Sequence, residues 1–453
     1  MKSIIKNIIE NDVFLNKIRK HLNSGSAYLA GGYIRDLATK LKGCGKDLSD
    51  IKTPHDRDIV LFHCDTENTA RNIADSMGAA FVELDRENKI YRIVLGEDYA
   101  DIAQGLNNNV DDDIDRRDFT INSIFYDLGK GEFYDKNRGF EDIETCTIRT
   151  KDLKNLSGDP LRMLRAYRFQ SQLGFKIENG ISKYIKDNAK TLDTIARERI
   201  HQEIMKMFEG EFLVQTLLEM YDAEFLEIVF PFIKNIKKIP PNTHHHLDLV
   251  HHSIETVNHI RIKKPLLKLA AFYHDIAKPL CWTIEEETGR HRFIGHDEKG
   301  GEIVKEELSN LKFSKKQIEY ISKLVKHHIY PSSLMATDAT TKAMARFIRK
   351  IHPDVEDLIE LARADRLSAR GKAVTDDMVE KNLKNLSDLL GYYESIKETL
   401  KEIPKLLDGK EIMEILNISA GPKLGRIINE LKEAQISGTV KTKADAINFI
   451  KGL

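Results

Sequence analysis

The texture of the chain changes near Asp152, and that change limits its possible folds more than any other feature. Between residues 56 and 150, short apolar runs alternate with turn residues: "DIVLF", "AAFVEL", "KIYRIVLG", "YADIA", "SIFYDL", "GEFYD" and "CTIRT". They read as strands. Ahead of them, residues 1–26 read as one helix, and "AYLAGGYIRDLAT" reads as a strand, a double glycine and a helix start. Beyond Asp152, "DPLRMLRAYRFQSQLGF" carries apolar residues at helical spacing, and nearly everything to residue 453 follows suit. The expectation is an α/β (α+β) head with a mixed sheet, followed by an all-α remainder. "KKIPPNTHHH" (237–246) is the clearest break, and a softer one follows "RGKAV" near 371–376. The segments expected are 1–152, 153–236, 240–371 and 372–453, since 453 residues exceed one ordinary core.

Composition narrows the class. The four cysteines (Cys44, Cys64, Cys146, Cys281) form no CxxC, which suits a reduced, cytoplasmic protein without a structural zinc site. No apolar run approaches a membrane span, so no membrane partner is expected. With a formal net charge of -1, any nucleic-acid surface must be local. Residues 149–206 hold 13 Lys/Arg against 7 Asp/Glu, a modest local basic excess.

Asp56 and Asp58, in "TPHDRDIVLF", would sit on one face of a strand end. Two carboxylates about 4 Å apart repel by roughly 4 kcal/mol at an effective dielectric near 20. Cations relieve that repulsion, and hard Mg²⁺ prefers oxygen ligands. "RIVLGEDYADIA" reads as a hairpin with a third acid, Asp101, in its second strand. Three carboxylates from neighbouring strands can hold two metal ions for phosphoryl transfer. The Gly31-Gly32 turn lets backbone approach a phosphate, although a plain tight turn is the commoner use.

"GGYIRD", "HDRDIV", "DRRDFTINSIFYD" and "GDPLRMLRAYRFQSQLGF", in that order over residues 27–210, resemble the motifs of bacterial class II tRNA nucleotidyltransferases. Those enzymes add the CCA end, and bacterial poly(A) polymerases are close relatives. The resemblance extends more weakly to 409–451. It implies a nucleotidyltransferase head, a helical neck at 153–236 that binds base and RNA, and a tRNA-binding tail from 372. The implied partners are tRNA, CTP and ATP, with Mg²⁺ at the head. Gly31, Gly32, Arg35 and Asp36 match the triphosphate motif, Asp56 and Asp58 the catalytic metal ligands, and Asp101 the third acid. Arg116, Arg117, Asp118 and Asn122 match the ribose and phosphate motif, and residues 135–143 the hinge-like segment. Asp159 and Arg162 match the base-reading pair, three apart on one expected helical face; Arg165 and Arg168 suit backbone or triphosphate contacts. A carboxylate accepts from a base amino group and a guanidinium donates to ring acceptors.

Three departures stand out. Gly158 replaces the family's usual Glu, and the segment between Asp36 and Asp56 is longer than expected. Between Asp101 and Arg116, CCA-completing members carry a long flexible loop rich in arginine, glycine and tyrosine. This chain has only the acidic "IAQGLNNNVDDDID". In the family a shortened loop goes with enzymes that add two C residues and leave the A to a sister enzyme. The expectation is CC addition, with poly(A) polymerase, or an RNA-binding protein with an inactive head, as the competing readings.

"DLVHHSIETV", "LAAFYHDIAKP", "FIGHDEKGG", "LVKHHIYP" and "LARADRLSARG" hold most of the histidines. His252, His274, Asp275 and Asp365 resemble the HD phosphohydrolase superfamily, and His296, His327 and His328 extend the match toward its two-metal form. Either His251 or His252 is the ligand, with His252 favoured; the run at 244–246 reads as a solvated loop. Imidazole with carboxylate suits Mn, Fe, Ni or Zn, and Mg less well.

Overall fold

The structure, a computed structural model, describes residues 1–22, 27–43, 53–241, 247–289, 291–337, 339–401 and 404–453. The expected loop at 244–246, and residues 44–52 of the long segment after Asp36, Cys44 among them, lie outside the described residues. The chain forms two compact units, Met1–Ile228 and Val229–Leu453.

The first unit is built on a seven-stranded sheet. Its strands are β1 (Ala27–Ala30), β2 (Asp58–Leu61), β3 (Ala80–Asp85), β4 (Ile90–Leu95), β5 (Asp98–Gln104), β6 (Phe125–Asp127) and β7 (Glu132–Tyr134), ordered β3-β4-β5-β2-β1-β6-β7. β2 and β5 run parallel and the other neighbours antiparallel, so the sheet is mixed. The β2–β5 register sets Asp58 directly opposite Asp101. "CTIRT" is not part of this sheet: β8 (Thr147–Ile148) pairs instead with β9 (Lys176–Ile177).

The expected single N-terminal helix is two, Lys2–Asn11 and Val13–Arg19. Asp12 breaks it by taking extended geometry and capping the second helix through Phe14 and Leu15 N–H. The same carboxylate accepts from Tyr33 Oη and from Arg57 Nε at 2.9 Å. Arg57 lies between Asp56 and Asp58, so this buried pair anchors the segment that presents both acids.

In the second unit, the helices Leu249–Asn258, Pro265–Tyr273, His296–Asn310, Lys315–His327 and Val355–Ser368 surround the histidines. The helices 296–310 and 315–327 approach closely at Gly301, where a Cβ would stand 2.7 Å from Lys326 Cβ. That glycine lets His296 come level with His328. A long helix, Asp376–Lys401, follows, and the tail has its own small core around Ile412, Leu431 and Ala446. No helix among the described residues is long and apolar enough to cross a membrane.

Candidate active sites

Asp56, Asp58 and Asp101 converge, with one oxygen of each within 4.8 Å of the others. Gly31 reaches them through a left-handed backbone (φ +71°), and a Cβ there would lie 2.8 Å from Asp58 Oδ2. Only glycine allows the start of the Gly32–Gly43 helix to lie against this carboxylate. Burial, then the Asp56 charge, pushes Asp58 up to about 6, against the pull of Arg117. Burial and Asp101 push Asp56 upward too. Neither aspartate forms an ion pair among the described residues, whereas Asp101 is held by Arg92 in a two-pronged pair at 2.6 and 2.8 Å. Three carboxylates, two of them unpaired and crowded, fit a hard divalent cation such as Mg²⁺.

Beside the acids runs a chain of paired groups. Arg35 bonds Asp36 Oδ1 and, at 2.6 Å, Asn122 Oδ1. Asn122 donates to Asp118 Oδ1, and Asp118 Oδ2 receives Arg165 at 2.6 Å. Burial opposes the Asp118 charge, but Arg165 and the Asn122 amide outweigh it and hold the carboxyl down at about 2. Arg165 and Arg168 both reach Glu203. Arg168 is buried against Phe169, and burial lowers it to about 10. The expectation that Arg168 suits backbone or triphosphate contacts is therefore corrected: it is buried and braces two neck helices through Glu203.

Arg116, Arg117, Asp118, Asp159, Arg162 and Arg165 line one cavity of about 260 Å³ together with Arg199. Asp159 and Arg162 do not share a helical face. Asp159 is extended, ahead of the Leu161–Leu173 helix, because Pro160 follows it. Its carboxylate pairs with Arg199, while Arg162 donates to Asn155 O.

The acidic segment before Arg116 is folded rather than open. It makes a short 3₁₀ turn, Leu106–Asn108, and a helix, Val110–Asp115. Ile114 is buried in a cluster with Tyr28, Val60 and Phe125. Asp113, fully buried, receives Arg116 at 2.5 Å and Arg117 at 3.2 Å.

In the second unit, His252, His274, Asp275, His296, His328 and Asp365 meet. His252 Nε2 lies 3.2 Å from His274 Nε2, 3.4 Å from Asp275 Oδ2 and 3.2 Å from Asp365 Oδ1. His296 Nε2 lies 3.3 Å from both His328 Nε2 and Asp275 Oδ1. Asp275 thus turns one oxygen toward each histidine pair, and neither oxygen accepts a hydrogen bond, although Lys278 Nζ stands 2.5 Å from Oδ2. His274, His296 and His328 donate Nδ1–H to the carbonyls of Ala271, Phe293 and Val325, which turns their Nε2 lone pairs into the cluster. Such a concentration of acceptors fits divalent transition metal, which His252, His274, Asp275, His296, His328 and Asp365 would hold.

One expectation changes here, and the choice that favoured His252 holds. His327 is not in the cluster: it faces Tyr330, and burial and Lys350 lower it to about 4. It precedes His328 on the helix, so only one of the two can face inward. His251 bonds Asp248 instead, which leaves His252 as the inward residue.

Arg92, Asp113, Arg199 and Glu203 were not expected at the site. Arg92 had a readable signal: a two-residue turn at Gly96-Glu97 pairs Leu95 with Asp98, and hence Arg92 with Asp101.

Comparison with known proteins gives three family matches: the "Poly A polymerase head domain" over residues 27–149, the "Probable RNA and SrmB- binding site of polymerase A" over 174–237, and the "HD domain" over 244–370. The chain is 31% identical to the CC-adding tRNA nucleotidyltransferase of Thermus thermophilus, over 94% of this chain and 93% of that one. It is 29% identical to the A-adding tRNA nucleotidyltransferase of Deinococcus radiodurans, over 94% and 95%. Its fold matches the Thermotoga maritima CCA-adding enzyme solved with tRNA (TM-score 0.63, 18% identity), covering 99% of this chain and 98% of that one.

Proposed function

The chain belongs to the bacterial class II tRNA nucleotidyltransferases, and from that premise we propose that it adds two untemplated cytidylates, drawn from CTP, to the 3′ end of tRNA in the cytoplasm. A Mg²⁺ pair at Asp56, Asp58 and Asp101 would supply charge neutralisation at the transferring phosphoryl group. The chain's own groups do the rest. The glycine turn and the helix start behind it face the triphosphate, with Arg35, Asp36 and Asn122 beside them. Arg116 and Arg117 contact ribose and phosphates. Asp159 accepts from the cytosine amino group and Arg162 donates to its ring acceptors. Basic helices of the neck and the tail take the acceptor arm by its A-form backbone, so binding is salt-dependent.

The observation that carries CC addition is the segment between β5 and Arg116. It is short, acidic and pinned by Ile114 and Asp113, where CCA-completing relatives carry a long flexible loop. The 31% identical relative is named CC-adding, which supports the same reading; the 29% identical one is named A-adding. The test is CTP incorporation on tRNA ending at the discriminator base, wild type against Asp58→Ala. Loss of incorporation with an unchanged melting temperature supports the reading, and retained incorporation overturns it.

A second reading concerns the six converging donors of the second unit, which support a metal-dependent phosphohydrolase acting on a 2′,3′-cyclic phosphate or another phosphoester. Phosphodiesterase rates with Mn²⁺ or Ni²⁺, compared between wild type and Asp275→Ala, decide it; equal rates remove it.

A further inference from the structure

The cavity of about 260 Å³ in the first unit has two kinds of wall. Arg116 and Arg117 come from the end of the acidic segment after β5, and Asp159 and Arg162 from the start of the neck. A base of one ring and a base of two rings need different separations between those walls. Which base the cavity accepts therefore depends on what sets that separation, and not only on the groups that read the base edge.

One residue ties the two walls together. Asn155, in the short helix Lys154–Gly158, donates from Nδ2 to two main-chain carbonyls, Asp115 O at 2.7 Å and Arg117 O at 2.9 Å. Those carbonyls bracket Arg116 in sequence. A carbonyl only accepts, so Nδ2 and not Oδ1 must face them, and the amide has one orientation. Arg162 Nη1 in turn donates to the carbonyl of Asn155 at 2.9 Å. The segment is also fixed from its other sides. The Asp115 carboxylate accepts from Lys136 Nζ at 3.0 Å and Asn137 Nδ2 at 3.1 Å, and buried Asp113 holds both arginines. Asn155 thus joins a wall that has little room to shift to the residue expected to read the base.

We propose that Asn155 is a positioning residue for nucleotide choice: it clamps Arg116 and Arg117 to Arg162 at the spacing of a single-ring base, so that adenine is refused by size as well as by its edge. This rests on the cytidine-addition reading for the identity of the favoured base. It adds a cause to that reading, a clamp between the cavity walls beside the shortness of the segment before Arg116.

The full-length protein is given tRNA ending at the discriminator base with CTP alone or ATP alone, and kcat and KM are measured for each. Asn155→Asp keeps the shape of the side chain but removes both donors and sets a carboxylate against two carbonyl oxygens. Asn155→Ala removes the amide without adding charge, and carries the comparison if the first variant unfolds. In each, the ratio of kcat/KM for CTP over ATP should fall about tenfold, through a higher KM for CTP and a lower KM for ATP, with kcat for CTP changed less. A residue that served only stability would slow both nucleotides in parallel and leave the ratio alone. Ser157→Ala, which removes a bond to Lys154 O within the same short helix, should keep the wild-type ratio. An unchanged ratio in the Asn155 variants overturns the proposal, and so does an equal fall in Ser157→Ala. Efficient adenylate addition by wild type to tRNA ending in CC, with the Asn155 ratios shifted as expected, would remove the cytidine-only reading and leave the clamp at the first addition standing.

Discussion

Arg117 is held by Asp113: its Nη2 stands 3.2 Å from a carboxylate that is wholly buried, in a segment expected to be a loop. Arg116 reaches the other oxygen of the same group. One acid therefore holds both guanidiniums that are proposed to contact the nucleotide. Asp113→Ala should leave them free to rotate and raise the KM for CTP by about tenfold, as loss of a charge-assisted bond of 1.5–3 kcal/mol implies. Because both arginines can reach water, the melting temperature should fall only slightly. Steady-state kinetics with thermal unfolding checks this, and an unchanged KM contradicts it.

Asp118 links the head motif to the neck through Arg165, and its folded pKa, at about 2, lies below the usual 3.8. A depressed carboxylate contributes stability above its unfolded pKa and loses it as the pH falls through the folded value. The shift corresponds to about 2 kcal/mol. Asp118→Asn should thus melt well below wild type at about pH 6, and the gap should narrow between about pH 4 and pH 2. A gap independent of pH would place the effect elsewhere.

Arg199 occupies the Asp159 carboxylate at 2.7 Å. Uridine offers a carbonyl where cytosine offers an amino group, so a correctly aimed carboxylate rejects UTP by about 1–3 kcal/mol. With Arg199→Ala, that aim is lost, and the CTP/UTP ratio of kcat/KM should drop about tenfold. Stability should change by less than about 1 kcal/mol, because the arginine side chain is half exposed. Undiminished discrimination would show that Arg199 does not position Asp159.

The adjacent pair His327 and His328 separates a ligand from a neighbour. His328→Ala should reduce bound transition metal from about two ions per chain toward about one, whereas His327→Ala should retain both. Metal analysis after dialysis reads the difference. Equal losses, or a loss confined to His327→Ala, would contradict the assignment.

The head was legible because its chemistry is local in sequence. Asp56 and Asp58 stand one apart, Asp101 lies in a readable hairpin, and Gly31 sits where the strand must turn. What was missed depends on tertiary partners. Nothing near Asp159 announces Arg199, since only neck packing brings the 197–208 helix beside it. Arg168 read as a contact for backbone or triphosphate because Glu203, which neutralises it, is remote in sequence. Asp113 looked like one of several loop acids, and only the burial of Ile114 shows that the segment turns inward. His327 and His328 were both read as ligands, because adjacency in sequence does not show which of two neighbours on a helix faces inward.

The central claim, that the short, pinned segment before Arg116 goes with cytidine-only addition, is tested most directly by product mass. Wild-type protein is given CTP and ATP together, first with tRNA ending at the discriminator base and then with tRNA ending in CC. The account predicts addition of two cytidylates to the first substrate and no efficient extension of the second. Efficient addition of adenylate to the CC-ending tRNA would contradict it.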